Sequence, residues 1–522
     1  MNPGCTLIPV ESTAPAPSRF RQSFRSSGFR YAIYALAIAT AILIWLLAIR
    51  SPLGMDETGS YWQISAGFSA IWPRQFAELA FPAYSYILWF FTKFLGNSEM
   101  ALRIPSLLAM LGAAWILYRA ARELLDAETS LLATAIFCIN PIVVFEAVDV
   151  RPYAFALLAT NLAIFLLLRL RRSESQSVAA LFGFLSAFIV YFHHLFAAVL
   201  PAFLLCFLLF KWRSGRRGWM QAGVALAVFC VSSLPLIPGL KYLFHTAHSH
   251  VYEAAPNFIQ LLWTLAPGWL FPAFVMTALL AWAKAGARQG GLDWRRNSLL
   301  WASLGLIPVL ILFGISRGTS IHMFAIRHRL VAVPGISLAW AVVISYLPWR
   351  WARPLFCAGL VAISAAYMLT SRNAGVHAFT WKYALQTAEK SAVVDHAPIV
   401  MCSPFVESDY AAMPVSDPTQ SLLFAPITYY KLSERVIPLP AKFSSETTRV
   451  GSEFLRTAAR KHERFLVVAY TGYPVSANTS FSTIDWFEKN TRGDYDAHWL
   501  GVFDEIGVVE FVPRGAAGKA SH

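Results

Sequence analysis

The chain has 522 residues, of which 57% are hydrophobic, 15% aromatic and only 14% charged. A water-soluble domain carries about 25% charged residues, so this composition excludes an ordinary soluble protein. The net charge of +14 falls largely on short basic clusters between apolar runs, a pattern that orients membrane helices and a poor fit to nucleic-acid binding.

Residues 1–30 are rich in Ser, Pro and Arg and are expected to form a disordered cytoplasmic tail. Apolar stretches of about 17–25 residues can span a bilayer. They recur at 31–49, 104–118, 129–145, 153–168, 177–192, 195–210, 220–240, 267–283, 298–315, 330–347 and 354–370. The fold predicted for 31–371 is therefore a mostly α, polytopic membrane helix bundle of about eleven transmembrane helices, with a long first outer loop at 51–101. The first run has no small-residue cleavage site after it and is expected to be retained as a helix. Connections at 119–128, 169–174, 211–217, 284–296 and 349–353 are dense in Lys and Arg ("RLRR", "KWRSGRR", "LDWRRN"), whereas the alternate connections are sparse. Positive-inside insertion then puts the N-terminus in the cytoplasm and the C-terminus outside.

From about Asn373 the charge density rises and the apolar runs shorten to strand length: "APIVMCS", "ERFLVVAY", "HWLGVFDE" and "IGVVEFVP". Helix-like stretches alternate with them, and "ITYYKLSERVIPLP" is expected to be a strand-turn-strand element. An extracytoplasmic α/β domain is predicted over 372–522. The six cysteines (Cys5, Cys138, Cys206, Cys230, Cys357 and Cys402) are scattered, with no disulfide or zinc spacing.

Sorted by this topology, ionisable residues from five separated segments gather on the outer side. Asp56, Glu57 and Glu78 lie in the first loop, and Glu146, Asp149 and Arg151 in "FEAVDVRPY". His193 and His194 lie in "YFHHLF", and His245, His248, His250 and Glu253 in "HTAHSHVYE". Arg317, Arg327, His328 and Arg329 complete the set. Charged groups at membrane depth are costly and mark functional or paired sites. Taken singly, each has a plain structural explanation; together they predict one site.

These motifs resemble a known family. "PLGMDETGSYWQISA" is similar to the first-outer-loop signature of GT-C fold, polyprenyl-phosphate-sugar-dependent glycosyltransferases, among them protein O-mannosyltransferases and the lipid A aminoarabinose transferase. "FLGNSEMALRIPSLL", "DVRPYAFALL" and "FAIRHRLVAVPGISLAWA" continue the resemblance in the family's order over roughly 50–345. Two departures stand out. Phe81 before Pro82 replaces the family's Lys or His before a Pro-Pro pair, and His328 replaces its usual Tyr.

The resemblance implies an inverting glycosyltransferase that moves a sugar from a polyprenyl-phosphate-linked donor to an acceptor at the outer face of the membrane. The acceptor is a glycan, a lipid or a protein. Asp56 is then the general base, with Glu57 orienting it or binding the acceptor. Burial beside a second acid is expected to raise the Asp56 pKa. Arg327 and Arg329 are the first candidates to hold the lipid phosphate, with Arg151, His193 and His194 behind them and Arg103 or Lys93 as substitutes for the missing Lys. Tyr61, Tyr84, Glu146, Asp149, Tyr153 and His328 are assigned to the acceptor and sugar pocket. No cofactor is expected; Glu146, Asp149 and Asp56 could hold a divalent cation, but the resemblance is closer to the metal-independent branch. A bacterial inner membrane is implied, with the carboxy-terminal domain periplasmic. The competing readings are a lipid-linked-sugar flippase, or a membrane scaffold displaying the outer domain.

Overall fold

The computed structural model describes residues 27–77, 82–211, 215–246, 254–265, 272, 275–279, 292–345, 347, 349, 351–370, 381–405, 407–408, 415–441, 443–471 and 480–515. Among them, seven helices are long and apolar enough to cross a membrane: Gly28–Ala48, Glu99–Ala121, Tyr153–Leu170, His194–Lys211, Gly215–Leu243, Leu300–Gly318 and Ile326–Ser345. Three shorter apolar helices, Ala127–Cys138, Gln176–Phe192 and Ala352–Tyr367, pack with them. The chain is a multi-pass, mostly helical membrane protein. The expected span at 267–283 lies largely outside the described residues.

One expectation for the membrane part is corrected. The run 129–145 is two helices, because Asn140 Oδ1 accepts from Ile142 N at 3.0 Å and Pro141 opens the short helix Pro141–Glu146. Proline has no N–H to lose at a first helical position and cannot continue a preceding helix. That break delivers Glu146 and the turn after it to the site. The stretch 51–101 contains three helices, Met55–Ser65, Phe68–Ala77 and Ala83–Leu95. Gly67 turns the chain between the first two at φ 98°, a backbone state that costs glycine nothing.

Helices cross most closely where side chains are absent. A Cβ on Gly335 would lie 2.3 Å from the backbone N of Gly305 on the neighbouring helix, so the two backbones touch, as small residues allow in membrane bundles. Gly335→Ala is expected to destabilise by about 1–3 kcal/mol through overpacking. A lowered melting temperature of the detergent-solubilised protein would register it.

The carboxy-terminal region folds around a five-stranded sheet: β1 (Ile399–Cys402), β2 (Val436–Leu439), β3 (Phe465–Tyr470), β4 (Tyr495–Phe503) and β5 (Ile506–Pro513). The order is β2-β1-β3-β5-β4. The β2–β1 and β1–β3 pairs are parallel, and β3–β5 and β5–β4 are antiparallel. The first three strands are almost wholly buried and correspondingly apolar, covered by Lys382–Ala392, Ser445–Lys461 and Ser480–Thr491. The edge strand β4 is largely exposed. Asp504 and Glu505 make the tight β4–β5 turn at φ 46° and 70°, the left-handed pair that two-residue hairpins require.

The segment 427–440 is not strand-turn-strand. Its first part belongs to a helix, Ala425–Tyr430, opened by Pro426, and only Val436–Leu439 is a strand. The reason is tertiary, since this helix lies against Met55–Ser65. Met55 enters the hydrophobic core of the sheet region, and Trp62 packs on Phe405 and Ala425. Residues 55, 59 and 62 follow one helical face, and Gly59 leaves room for Leu422, whose Cδ1 would be 3.2 Å from an added Cβ.

Candidate active site

The helix Met55–Ser65 starts at Gly54, whose extended backbone leaves the first-turn N–H groups uncapped by its own side chain. Successive residues on a helix project about 100° apart, so Asp56 and Glu57 face different partners. Glu57 is 1% exposed and Arg103 is fully buried. Arg103 Nε donates to Glu57 Oε1 at 3.0 Å and Nη2 to Oε2 at 2.6 Å. Gly54 N also donates to Oε2 at 2.8 Å, and Val150 N to Oε1 at 3.0 Å. Arg103 also donates to the carbonyls of Ser51 and Pro52 through Nη1 and Nη2. This bidentate pair ties three chain segments together.

Asp56 points the other way, half-buried, with its Oδ2 paired to Arg327 Nη1. Arg151 Nη1 reaches the Asp56 carbonyl at 3.5 Å. Burial alone would raise the Asp56 pKa, but Arg327 and then Arg151 outweigh it and hold the carboxyl below the usual carboxylate range. This corrects the expected upward shift, because an arginine and not the neighbouring acid is the nearest charge. The carboxylate is ionised throughout the neutral range.

The turn after Pro141–Glu146 supplies the second cluster. Glu146 and Asp149 are 1% and 5% exposed, and their buried Oε2 and Oδ1 atoms have no hydrogen-bond partner among the described residues. Burial raises both pKa values, with Glu57, Glu146 and Asp56 adding to the rise at Asp149. Arg151 lies 5.9 Å from the Tyr153 ring centroid. His193 follows the helix Gln176–Phe192 with an extended backbone; its ring stacks on His194 at a centroid distance of 5.1 Å and lies tilted against Tyr153 and His328 at 4.7 and 5.7 Å. Burial first, then His194 and His328, keep the His193 imidazole neutral.

Arg327, His328 and Arg329 lie on the 3₁₀ segment Ile326–Ala332. His328 Nδ1 meets Met323 O at 2.9 Å. Arg329 turns away from the cluster: its Nε donates to Phe324 O at 3.2 Å, and Nη1 approaches Gln260 O and Thr264 Oγ1, both at 3.4 Å.

The structure thus brings together Asp56, Glu146, Asp149, Arg151, Tyr153, His193, His194, Arg327 and His328 from four segments far apart in sequence. Tyr84 is buried beside them, its ring 5.7 Å from Phe155. Three candidates for phosphate binding are not available in this way. Arg103 is satisfied by Glu57 and carbonyls, Arg329 anchors the helix Phe258–Leu265, and Lys93 is exposed over the Trp89 ring at 4.7 Å. Glu57, engaged by three backbone and guanidinium partners, holds the turn in place. Tyr61 packs edge-on against Tyr429 at 4.9 Å, toward the sheet region. Glu78, the His245 side chain, His248, His250 and Glu253 lie outside the described residues. Among the described residues, no three His, Cys, Asp or Glu side chains form a metal-ligand group.

Sequence reasoning missed Tyr430. Its hydroxyl accepts from Leu53 N at 2.8 Å, fixing the turn just before Asp56 from the carboxy-terminal side. Tyr429 Oη donates to Asn97 O at 2.8 Å, and Lys382 pairs with Glu99 at 2.8 Å across the same seam. Nothing local in "ITYYKL" marks these tyrosines.

Residues 80–236 match the profile of a family described as dolichyl-phosphate-mannose-protein mannosyltransferase. The match takes in Arg103, Glu146, Asp149, Arg151 and the His193-His194 pair, within the stretch that carries the motif resemblance. No curated protein sequence matches the chain. Among solved structures, the chain is similar to ArnT from Cupriavidus metallidurans in the apo state, at 11% identity over 93% of this chain and 98% of that one, with a TM-score of 0.42. The same protein bound to undecaprenyl phosphate matches at 10% identity, with the same coverage and a TM-score of 0.38. The oligosaccharyltransferase of Archaeoglobus fulgidus in the apo form matches at 11% identity over 95% of this chain and 75% of that one, with a TM-score of 0.48.

Proposed function

We propose that this chain, a membrane glycosyltransferase of the GT-C type, transfers a sugar from a polyprenyl-phosphate-linked donor to an acceptor hydroxyl or amine, with inversion at the anomeric carbon. The observation that carries the reading is the direct pairing of Asp56 with Arg327 in a cluster that also holds Arg151. A base for the acceptor and cations for the departing phosphate then stand side by side, which a single displacement needs. In the unliganded protein Arg327 neutralises Asp56. A donor phosphate competes for the same guanidinium, and as it takes Arg327 the carboxylate loses its counter-ion and becomes a stronger base. Tyr84, Tyr153, Glu146, Asp149 and His328 line the sugar side of the reaction centre, and the apolar helix faces hold the lipid tail.

Arg327→Ala is expected to weaken binding of undecaprenyl phosphate by about 10–100-fold, the loss of one or two charge-assisted hydrogen bonds. Intrinsic tryptophan fluorescence of the purified protein would follow the titration, and unchanged affinity would remove Arg327 from the role. Guanidinium groups supply the positive charge in this mechanism, so transfer is expected to survive exhaustive treatment with EDTA. Loss of activity on chelation, restored by one divalent cation, would overturn that part. The family resemblance supports a bacterial inner membrane location, and the basic clusters support an N-terminus in the cytoplasm with the sheet region on the outer side. Mass spectrometry of lipid co-purified with the protein would identify the donor sugar.

A further inference from the structure

We propose that Tyr430 is a positioning residue for the reaction. From the carboxy-terminal region it holds the turn before Asp56 so that the carboxylate meets Arg327, and it thereby couples that region to the donor-phosphate site. This rests on the donor reading above and adds to it a control on how tightly the phosphate is held.

The turn 51–54 leads into the helix that carries Asp56, and three side chains meet its backbone. Arg103 takes the carbonyls of Ser51 and Pro52, and Glu57 takes the N–H of Gly54. Leu53 is fully buried. Its N–H donates to the Tyr430 hydroxyl at 2.8 Å, and that hydroxyl donates to the Leu53 carbonyl at 3.5 Å. A buried N–H stripped of its partner costs enough to move the chain in search of another. The Tyr430 ring packs against both hydrophobic cores, that of the bundle and that of the sheet region, so its hydroxyl is a fixed point for the turn.

The same region sets how the helix Met55–Ser65 is rotated. Met55 enters the core of the sheet region, Trp62 Nε1 donates to Thr419 O at 3.3 Å, and Leu422 packs over Gly59. Asp56 follows Met55 by a step of about 100°. A helix that keeps Met55 in the sheet-region core therefore presents Asp56 to Arg327. Loss of the Tyr430 hydroxyl frees the start of this helix and weakens the hold of Asp56 on that guanidinium. A lipid phosphate competing for Arg327 then meets a weaker rival. The coupling is reciprocal, so phosphate bound at Arg327 loosens the contact between Tyr430 and Leu53.

Titration of the full-length protein in nanodiscs with undecaprenyl phosphate, followed by tryptophan fluorescence, tests this without knowledge of the sugar. Tyr430→Phe is expected to tighten binding about 3–10-fold, the effect of one hydrogen bond. Tyr429→Phe is the matched control. It removes a hydroxyl that donates at 2.8 Å to Asn97 O across the same seam, and affinity should not change. In an Asp56→Asn background Tyr430→Phe should add nothing, because the group through which it acts is gone. A purely structural tyrosine would lower the melting temperature and leave the affinity where it was. Unchanged or weakened binding in Tyr430→Phe, an equal gain in Tyr429→Phe, or a gain that persists in the Asp56→Asn background would each overturn the proposal. If Tyr430→Phe does not fold, hydrogen exchange on the wild-type protein decides. The peptide carrying the Leu53 amide should exchange faster with undecaprenyl phosphate bound, and unaltered exchange would overturn the coupling. Failure of undecaprenyl phosphate to bind the wild-type protein would instead defeat the donor reading, and this proposal with it.

Discussion

Asp56→Asn is expected to reduce sugar transfer by about 10²–10⁴-fold, the range that a positioned general base contributes. The substitution keeps the side chain's shape at a half-buried position and removes the charge paired with Arg327. Folding should therefore be unchanged, and undecaprenyl phosphate should bind as well as before or more tightly, because the guanidinium no longer has a competing anion. The two measurements must diverge: initial rates of transfer fall while lipid-phosphate affinity holds. Full activity in the variant would remove Asp56 from the chemistry. Equal loss of binding and rate would reduce it to a structural ion pair.

The largest effect on stability belongs to Arg103→Ala, expected to cost about 3–5 kcal/mol. Truncating the arginine leaves the Glu57 carboxylate in a site with almost no water and uncovers the carbonyls of Ser51 and Pro52. Thermal unfolding in detergent should show a large drop in melting temperature, or the protein should fail to accumulate. An apolar replacement of both partners is sometimes neutral for a buried pair, but not here. Glu57 also accepts from the backbone N–H groups of Gly54 and Val150, and a Glu57→Leu, Arg103→Met double variant would orphan both. A stable, active double variant would show that the pair is dispensable.

Much of the bundle was legible because a bilayer-spanning helix needs one long apolar run, and hydropathy is insensitive to how helices pack. The run at 129–145 misled because apolarity continues across Asn140-Pro141 while the backbone does not. The three helices in 51–101 are short and only weakly patterned, so their existence depends on what they pack against. The strands β1, β3 and β5 were readable as apolar runs bounded by polar residues, whereas the helix Ala425–Tyr430 has strand-like composition and is helical through contact with Met55–Ser65.

The candidate site was legible as a set of residue types and not as a set of roles. "DE" at 56–57 looks like one acidic pair in sequence, yet the roughly 100° step between adjacent helical residues sends the two carboxylates to different arginines. Arg327 and Arg329 are likewise two residues apart on a 3₁₀ turn, and only the first enters the cluster. Side-chain direction decides such assignments, and it follows from backbone geometry that spacing alone does not specify.

The seam between Ala425–Tyr430 and Met55–Ser65 bears on how this protein can be rebuilt. A chimera that grafts a foreign carboxy-terminal module after residue 370 would strip the cover from Met55 and Trp62 and leave Leu53 N without the Tyr430 hydroxyl. A module swap would leave the Asp56 turn intact only if the graft brings its own phenol to that amide and a matching apolar pad, so the Asp56 cluster and the module must be transplanted as a matched couple.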